Sequence, residues 1–265
     1  RLRAAATEAL VNLGPTGLRE VVRGIQQGPP DVSRAALQAV CVRARPNRRV
    51  ATTVLATAWK KKRAGIRGQA LRCARKLVAA NPRLSLWLAD QARLDKNPEV
   101  RRAAAEAVAL AMKSGGPRAE TLAQFYLRQD PTIVVPVLES MTATPPRPSR
   151  RLFRRVSNLG AHPDPKVRAA AAPVVGLLAP KRERALAVLT DLLEDKEPAV
   201  VMAALATVAR MARGEPLDGL AKARARLDRT LARVVLAARS RDALRAMKVA
   251  GALGLQGPIQ QAALH

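Results

Sequence analysis

Apolar and polar positions recur along the chain in a pattern of about 33 residues. Each copy has a turn, then an aliphatic residue, then an alanine-rich stretch with apolar residues at helical spacing, as in NPEVRRAAAEAVALAM from Asn97 and DPKVRAAAAPVVGLLAP from Asp164. Repeats of about 20 to 50 residues are typical of stacked supersecondary units that share a continuous core. Aligning the copies gives these aliphatic anchors: Leu2, Val32, Ile66, Val100, Ile133, Val167, Val200 and Leu244.

The alanine-rich stretch of each copy has a marked helix start. Proline lacks an N–H group, so it fits the first helical turn, and five copies place it two residues before the anchor: Pro30, Pro98, Pro131, Pro165 and Pro198. Asn97, Asp130 and Asp164 precede three of these prolines and are predicted to cap the free amides. A small or modest side chain lies seven residues after each anchor, which predicts close helix crossings: Ala9, Ala39, Cys73, Ala107, Ser140, Val174, Thr207 and Gly251.

Between the alanine-rich helices the pattern predicts antiparallel partner helices, so each unit is a helical hairpin. Pro136 and Pro173 fall inside second helices and are predicted to kink them. The stiff segment 142–151 is the predicted hinge or boundary, although we expect residues 1–265 to form a single domain. The partner helices are predicted at about 16–27, 48–62, 83–94, 117–128, 149–160, 181–194 and 217–239.

The pattern resembles the HEAT and HEAT-like repeat family, in which an Asp-Pro-x-Val-Arg turn leads into an Ala-rich second helix. The resemblance covers nearly the whole chain and is clearest at 97–112, 164–179 and 197–212. It implies an all-α fold, a right-handed α-solenoid of about eight stacked hairpins. Ser33, Val134 and Val201 replace the arginine that follows the anchor in other copies, which interrupts a ladder of Asp and Arg; that arginine is present as Arg3, Arg67, Arg101, Arg168 and Arg245.

Composition supports the all-α prediction and adds a strong positive charge. Aromatic residues are 2% of the chain, too few for a typical β-sandwich or barrel, whereas Ala, Leu and Arg favour helices. Lysine and arginine number 47 against 20 aspartates and glutamates, giving a net charge of +27. A field of that size favours an anionic partner, first of all nucleic acid.

The two cysteines, Cys41 and Cys73, are too few for a disulfide-rich secreted scaffold. We expect both to be reduced and to act as small apolar fillers, although they lie on adjacent second helices and can approach each other. No apolar run has the length of a membrane span, and the first ten residues lack the apolar centre of a signal peptide. The expectation is a soluble, intracellular, cytoplasmic protein without a membrane partner. Because the chain starts with Arg1 inside a repeat, we expect it to be a segment of a longer protein.

Candidate catalytic groups are few, and the prediction is a protein without catalytic activity, cofactor, metal or small-molecule substrate. His162 and His265 are the only histidines, and no glycine-rich phosphate loop is present. HEAT-like alkylpurine DNA glycosylases are a lesser alternative, because SLWLAD places Trp87 near Asp90, with Trp59 one repeat earlier. Filling of the alanine-rich layers is the simpler interpretation of both tryptophans.

Basic residues cluster in a stretch that contains no acid. Residues 32–89 hold fourteen lysines and arginines but no aspartate or glutamate, so local i to i+4 ion pairs cannot form. A second cluster lies at the hinge and a third at residues 222–233. The alternative to a binding role is a generic cationic surface. The candidate nucleic-acid-binding residues are Arg45, Arg48, Arg49, Lys60, Lys61, Lys62, Arg63, Arg67, Arg72, Arg75, Lys76, Arg147, Arg150, Arg151, Arg154 and Arg155.

The favoured function is a non-catalytic solenoid that contacts the phosphate backbone of duplex DNA or structured RNA. Trp59 is the only aromatic residue amid the first basic cluster, so few bases can be stacked or read. About eight neutralised phosphates would give a salt slope near −7 on duplex DNA. The alternative is a protein-interaction scaffold in a large complex, such as a ribonucleoprotein, in which the basic clusters contact an acidic protein or RNA.

Overall fold

The computed structural model describes residues 15–43, 48–60, 63–76, 81–114 and 116–212, and every regular element in them is helical. The chain divides into two compact units, Arg1–Thr144 and Pro145–His265. That division falls within the segment 142–151. The predicted helix 217–239 and the anchors Leu2 and Leu244 lie outside the described residues.

The first unit contains four described hairpins. Its second helices pack side by side in chain order, and each also packs on the first helix of its own hairpin. The hairpins are α1 (Pro15–Gln27) with α2 (Pro30–Arg43), α3 (Arg48–Trp59) with α4 (Ala64–Lys76), α5 (Pro82–Ala92) with α6 (Pro98–Ala111), and α7 (Gly116–Tyr126) with α8 (Pro131–Ala143).

The second unit contains two described hairpins. They are α9 (Arg150–Asn158), which continues as a short 3-10 turn (Leu159–Ala161), with α10 (Pro165–Leu178), and α11 (Arg182–Leu193) with α12 (Pro198–Ala212). The crossing of α10 and α12 is very close, since a Cβ atom on Gly176 would lie 2.6 Å from Cγ2 of Thr207. Thr207, one of the positions predicted to lie at a close helix crossing, does so here.

Helix starts follow the predicted capping chemistry. The side chains of Asn97, Asp130 and Asp164 accept hydrogen bonds from backbone amides two residues ahead, at 2.9, 3.1 and 2.8 Å. Proline then occupies the first turn of each helix. Asn81 and Ser149 cap α5 and α9 by accepting from backbone amides three residues ahead, which the repeat alignment does not predict. Helices α8 and α10 continue through Pro136 and Pro173.

Buried bidentate ion pairs join neighbouring repeats in both units. In the second unit, Arg168 donates from Nε and Nη2 to the carboxylate of Asp195 at 2.6 and 2.9 Å. Its Nη1 also donates to the carbonyl of His162 at 2.8 Å. Both side chains of the pair are 11% exposed. Two charges buried to this degree stabilise the fold only while both are present.

The carboxylate of each pair stands two residues before the helix cap of the next repeat. Asp195 accepts from the amide of Glu197, and Asp95 accepts from the amide of Asn97, both at 2.9 Å. His162 fills the equivalent position and accepts through Nδ1 from the amide of Asp164. Where Arg128 occupies this position, no carboxylate is supplied, and the arginine of the preceding repeat lies 3.9 Å from Asp130 instead. The position therefore decides which repeats are joined by a buried bidentate pair.

The two cysteines form a disulfide, so the expectation that they are reduced is wrong. Cys41 on α2 and Cys73 on α4 are both buried, and their Cα atoms are 5.3 Å apart. Close packing of small residues between neighbouring second helices brings the two side chains into contact. The cysteines therefore no longer support a reducing compartment.

Removal of one carboxylate should test the ion pairs. Asp195→Ala leaves the guanidinium of Arg168 buried without its partner, and we expect the free energy of unfolding to fall by about 3 kcal/mol. Asp164→Ala is the matched control, because it removes a carboxylate that caps a helix and should cost about 1 kcal/mol. Urea unfolding followed by circular dichroism measures both values. Equal losses would contradict the structural role of the pair.

The same pair has a defined pH dependence. Hydrogen bonds from Arg168 hold the pKa of Asp195 below its usual value, against the opposite effect of burial. Because the unfolded chain titrates at about 3.9, the pair contributes its full stability above that pH and loses it as the pH falls through the lower folded value. The difference between the parent protein and Asp195→Ala should therefore shrink in acid. A constant difference from neutral pH into strong acid would contradict this assignment.

Reduction of the disulfide should destabilise the first unit. The bond spans 32 residues of sequence, and loop closure of that size restricts the unfolded chain by about 3 to 4 kcal/mol. Thiol titration of the denatured protein without reductant should find no free thiol, and urea unfolding with and without reductant measures the stability difference. The Cys41→Ala/Cys73→Ala variant is the control and should not respond to reductant. Two free thiols in protein never exposed to reductant would contradict the bond.

Candidate nucleic-acid interface

The helix α4 presents its basic residues on the face opposite the core. Ile66, Ala70 and Leu71 are buried, whereas Arg72 and Lys76 are exposed one turn apart. Lys60 in the turn after α3 and Arg63 just before α4 are also exposed. We call Lys60, Arg63, Arg72 and Lys76 the α4 basic group.

The cations of the α4 basic group are not neutralised within the described part of the chain. Among the described residues, none of the four takes part in an ion pair. The nearest polar contact is a hydrogen bond from Nε of Arg72 to the amide oxygen of Gln69 at 3.0 Å. Their charges are therefore available to an external anion.

Arg67 has a structural role within the predicted site. Its Nε and Nη2 donate to the carboxylate of Asp95 at 2.7 and 2.9 Å, and the two side chains are 16% and 6% exposed. Burial alone would raise the pKa of Asp95, but the hydrogen bonds from Arg67 and from the amide of Asn97 outweigh it and lower that pKa. This pair joins the α3–α4 hairpin to the next repeat, as Arg168 does in the second unit.

Arg75 is also neutralised, although it is more exposed. Its Nη1 contacts Oε2 of Glu106 on α6, while Oε1 of the same carboxylate lies 3.4 Å from Nε of Arg102. The acid-free stretch offers Arg67 and Arg75 no carboxylate within a few residues, yet both arginines are neutralised. Their carboxylates come from the next repeat, 28 and 31 residues away in sequence.

Other predicted residues of the first cluster are described only in part. Arg48 and Arg49 occupy the first turn of α3. Arg45, Lys61 and Lys62 lie outside the described residues, as does the third cluster at 222–233. Arg83, exposed in the first turn of α5, adds a described cation that the list of candidate residues omits.

The second cluster lies entirely in the second unit. Arg147 precedes α9, and Arg150, Arg151 and Arg154 are exposed on it. Arg155 is half-buried. The short helix buries only Leu152, Phe153 and Val156, so most of its surface carries arginine. The described residues of the first cluster thus lie in the first unit, and those of the second cluster lie in the second unit.

Each tryptophan packs against the alanine-rich layers and keeps part of its ring accessible to solvent. Trp59 and Trp87 are both half-buried. Arg67 lies over the ring of Trp59, with its guanidinium carbon 5.9 Å from the ring centroid. Asp90, the candidate acid of the glycosylase alternative, lies 3.1 Å from Arg118 and 3.6 Å from Arg93. Its carboxylate is therefore engaged by two arginines.

Within the described part of the chain, no group of three or more His, Cys, Asp and Glu side chains is placed to hold a metal ion. His162 uses Nδ1 to accept a backbone hydrogen bond, which gives it a role in a turn. None of the described helices combines the length and apolar character needed to cross a membrane.

Comparison with known proteins identifies the repeat. A family model described as HEAT repeats matches residues 154–247. The crystal structure of the archaeal HEAT-like repeats protein from Thermococcus onnurineus NA1 is similar, with a TM-score of 0.62, 15% sequence identity, and coverage of 93% of this chain and 99% of that one. An engineered protein is similar with a TM-score of 0.52 and 16% identity, covering 98% of this chain and 74% of its own. No curated protein sequence is significantly similar. At these identities the likeness concerns the fold.

The paired and the free cations should respond differently to substitution. Arg67→Met leaves the carboxylate of Asp95 buried without its partner and should lower the free energy of unfolding by about 3 kcal/mol. Arg72→Met, on the exposed face of the same helix, should change it by no more than about 0.5 kcal/mol. Urea unfolding at neutral pH measures both. A neutral Arg67→Met or a strongly destabilised Arg72→Met would contradict the division into structural and free cations.

Proposed function

We propose that this chain, which is similar to HEAT repeats over residues 154–247 and to a HEAT-like repeats protein in fold, is a non-catalytic solenoid that binds the phosphate backbone of nucleic acid through the α4 basic group. Solenoids of this family typically act as interaction scaffolds. The observation that carries the proposal is the set of four exposed cations with no ion-pair partner among the described residues.

Counterion release is the physical basis of this binding. A polyanion with condensed counterions gains entropy when fixed cations replace them, and the gain falls as salt is added. If Lys60, Arg63, Arg72 and Lys76 each neutralise one phosphate of duplex DNA, they account for a salt slope of about −3.6. That share alone weakens binding about 150-fold between 50 and 200 mM salt. Arg67 and Arg75 contribute less, because their charges are already compensated.

The arginines of the second cluster belong to the proposal as a separate contact. Arg147, Arg150, Arg151 and Arg154 are exposed around one short helix. Guanidinium groups bind phosphates, like carboxylates, with two parallel hydrogen bonds, and a nucleic-acid backbone offers a row of such phosphates to the clustered arginines.

Neutralisation of the α4 basic group should reduce the salt slope. In the variant Lys60→Gln/Arg63→Gln/Arg72→Gln/Lys76→Gln we expect the slope of log K against log salt on duplex DNA to become less negative by about 3.6. The control removes four exposed cations elsewhere in the first unit, Arg19, Lys96, Lys113 and Arg128, by the same substitution. Fluorescence anisotropy with duplex DNA and with a structured RNA measures both slopes.

Equal changes in the two variants would show that binding follows net charge alone and would contradict a defined site. No binding to DNA or RNA at low salt would contradict the proposal as a whole.

A second candidate function is a scaffold for a protein partner, and the second unit favours it. Apart from Lys166 and Arg210, the exposed and half-buried positions of α10 and α12 are uncharged, and they include Ala169, Pro173 and Leu177 on α10 with Met202 and Ala206 on α12. Such a surface suits apolar contact, which high salt does not weaken. A partner retained at high salt after nuclease treatment favours the scaffold, whereas one lost under either condition favours nucleic acid. The glycosylase alternative gains no support, because Asp90 is held by two arginines.

A further inference from the structure

Trp59 ends α3 and stands among the cations of the α4 basic group. Lys60 follows it directly, and Arg63 lies four residues further on. The indole is half-buried, so part of its apolar surface remains in contact with water. The structure thus places one partly accessible aromatic ring next in sequence to a cation that has no ion-pair partner among the described residues.

The position of the indole is supported by the ion pair between repeats. Arg67 lies over the ring, and its guanidinium is fixed in turn by two hydrogen bonds to Asp95. The Asp95 side chain is only 6% exposed, so the guanidinium rests on a buried carboxylate. Trp59, Arg67 and Asp95 thus form one ordered layer, and a preorganised ring loses little conformational entropy when a ligand stacks on it.

An aromatic surface next to free cations matches the chemistry of a nucleotide whose base is accessible. The base offers a π-face for stacking, while its phosphate pairs with a neighbouring lysine or arginine. A continuous duplex keeps its base faces stacked, and a sulfated polysaccharide has none. Resting on the function proposed above, we infer that Trp59 is a stacking contact for an unpaired base, so that the preferred ligand carries single-stranded nucleotides.

This inference refines the duplex DNA or structured RNA expected from the sequence. Single-stranded ends, loops and bulges present both chemical features, and a structured RNA contains such elements. Stacking on one indole is tolerant of sequence, because every base has a π-face. The site should therefore distinguish unpaired from paired nucleotides but not one base from another.

Tryptophan fluorescence tests the inference directly. Trp87→Phe leaves Trp59 as the single tryptophan and serves as the parent for the titrations. The probes are oligo(dT) of about 15 nucleotides, which covers the site of a typical single-strand binder, a relaxed circular DNA duplex without ends or loops, and heparin. We expect oligo(dT) to quench Trp59 strongly, and the circular duplex and heparin to bind without comparable quenching.

Substitution of Trp59 supplies the second readout. In the Trp87→Phe parent, Trp59→Leu should weaken oligo(dT) binding about 5- to 150-fold, the range expected for loss of one base stack, and leave heparin affinity within about twofold, because no charge is removed. Trp59→Phe keeps an aromatic ring and should restore part of the affinity. Circular dichroism of each variant verifies that the unit is folded.

Two results would overturn the inference while leaving the proposed function intact. One is oligo(dT) binding without quenching and without an effect of Trp59→Leu. The other is an equal loss of oligo(dT) and heparin affinity in Trp59→Leu with no recovery in Trp59→Phe, which would assign the ring a structural role. Failure of all three probes to bind at low salt would remove the proposed function as well.

Discussion

An arginine in one repeat and a carboxylate in the next form the interaction on which the interpretation of the charged surface depends. A guanidinium and a carboxylate can be buried together only when their hydrogen bonds are satisfied, and removal of either leaves a costly buried charge. Arg67 with Asp95 and Arg168 with Asp195 meet this condition with two hydrogen bonds each. The pairs fix the stacking of neighbouring hairpins. They also determine which cations remain available to an external anion.

This division matters because net charge alone cannot locate a binding site. The chain has an excess of 27 positive charges, yet Arg67 and Arg75 form ion pairs with carboxylates of the next repeat. The cations of the α4 basic group have no such partner among the described residues. The paired arginine also supports the indole of Trp59. The arginine of a structural ion pair therefore lies on the same helix as Arg72 and Lys76, which are proposed to bind nucleic acid.

Local chemistry made most of the fold predictable from sequence. Helix starts at Pro98, Pro131 and Pro165 follow from proline geometry and from the capping side chains before them, which act within two or three residues. Predicted first helices such as 83–94 and 181–194 agree with the observed helices within about two residues at each end. The predicted solenoid fold followed from the resemblance to HEAT-like repeats, and the similarity to known structures confirms it.

The contacts that the sequence did not predict are those formed by the stacking of neighbouring hairpins. The Arg67–Asp95 pair and the Cys41–Cys73 disulfide join residues about one repeat apart, which only the register of neighbouring second helices brings together. One signal was available: an aspartate two residues before the helix cap, present as Asp95 and Asp195, supplies the carboxylate for the arginine that follows the preceding anchor. The half-burial of Trp59 had no comparable signal, because exposure at a helix end depends on the neighbouring hairpin.

Lysine footprinting is the most direct measurement of where a polyanion contacts this chain. Brief acylation followed by mass spectrometry, with and without nucleic acid at low salt, reports the accessibility of each exposed lysine. The account predicts that Lys60 and Lys76 are protected by the ligand, whereas Lys96 and Lys113, exposed in the same unit, react as before. Equal protection of all four lysines, or protection of Lys96 and Lys113 alone, would contradict a binding site at the α4 basic group.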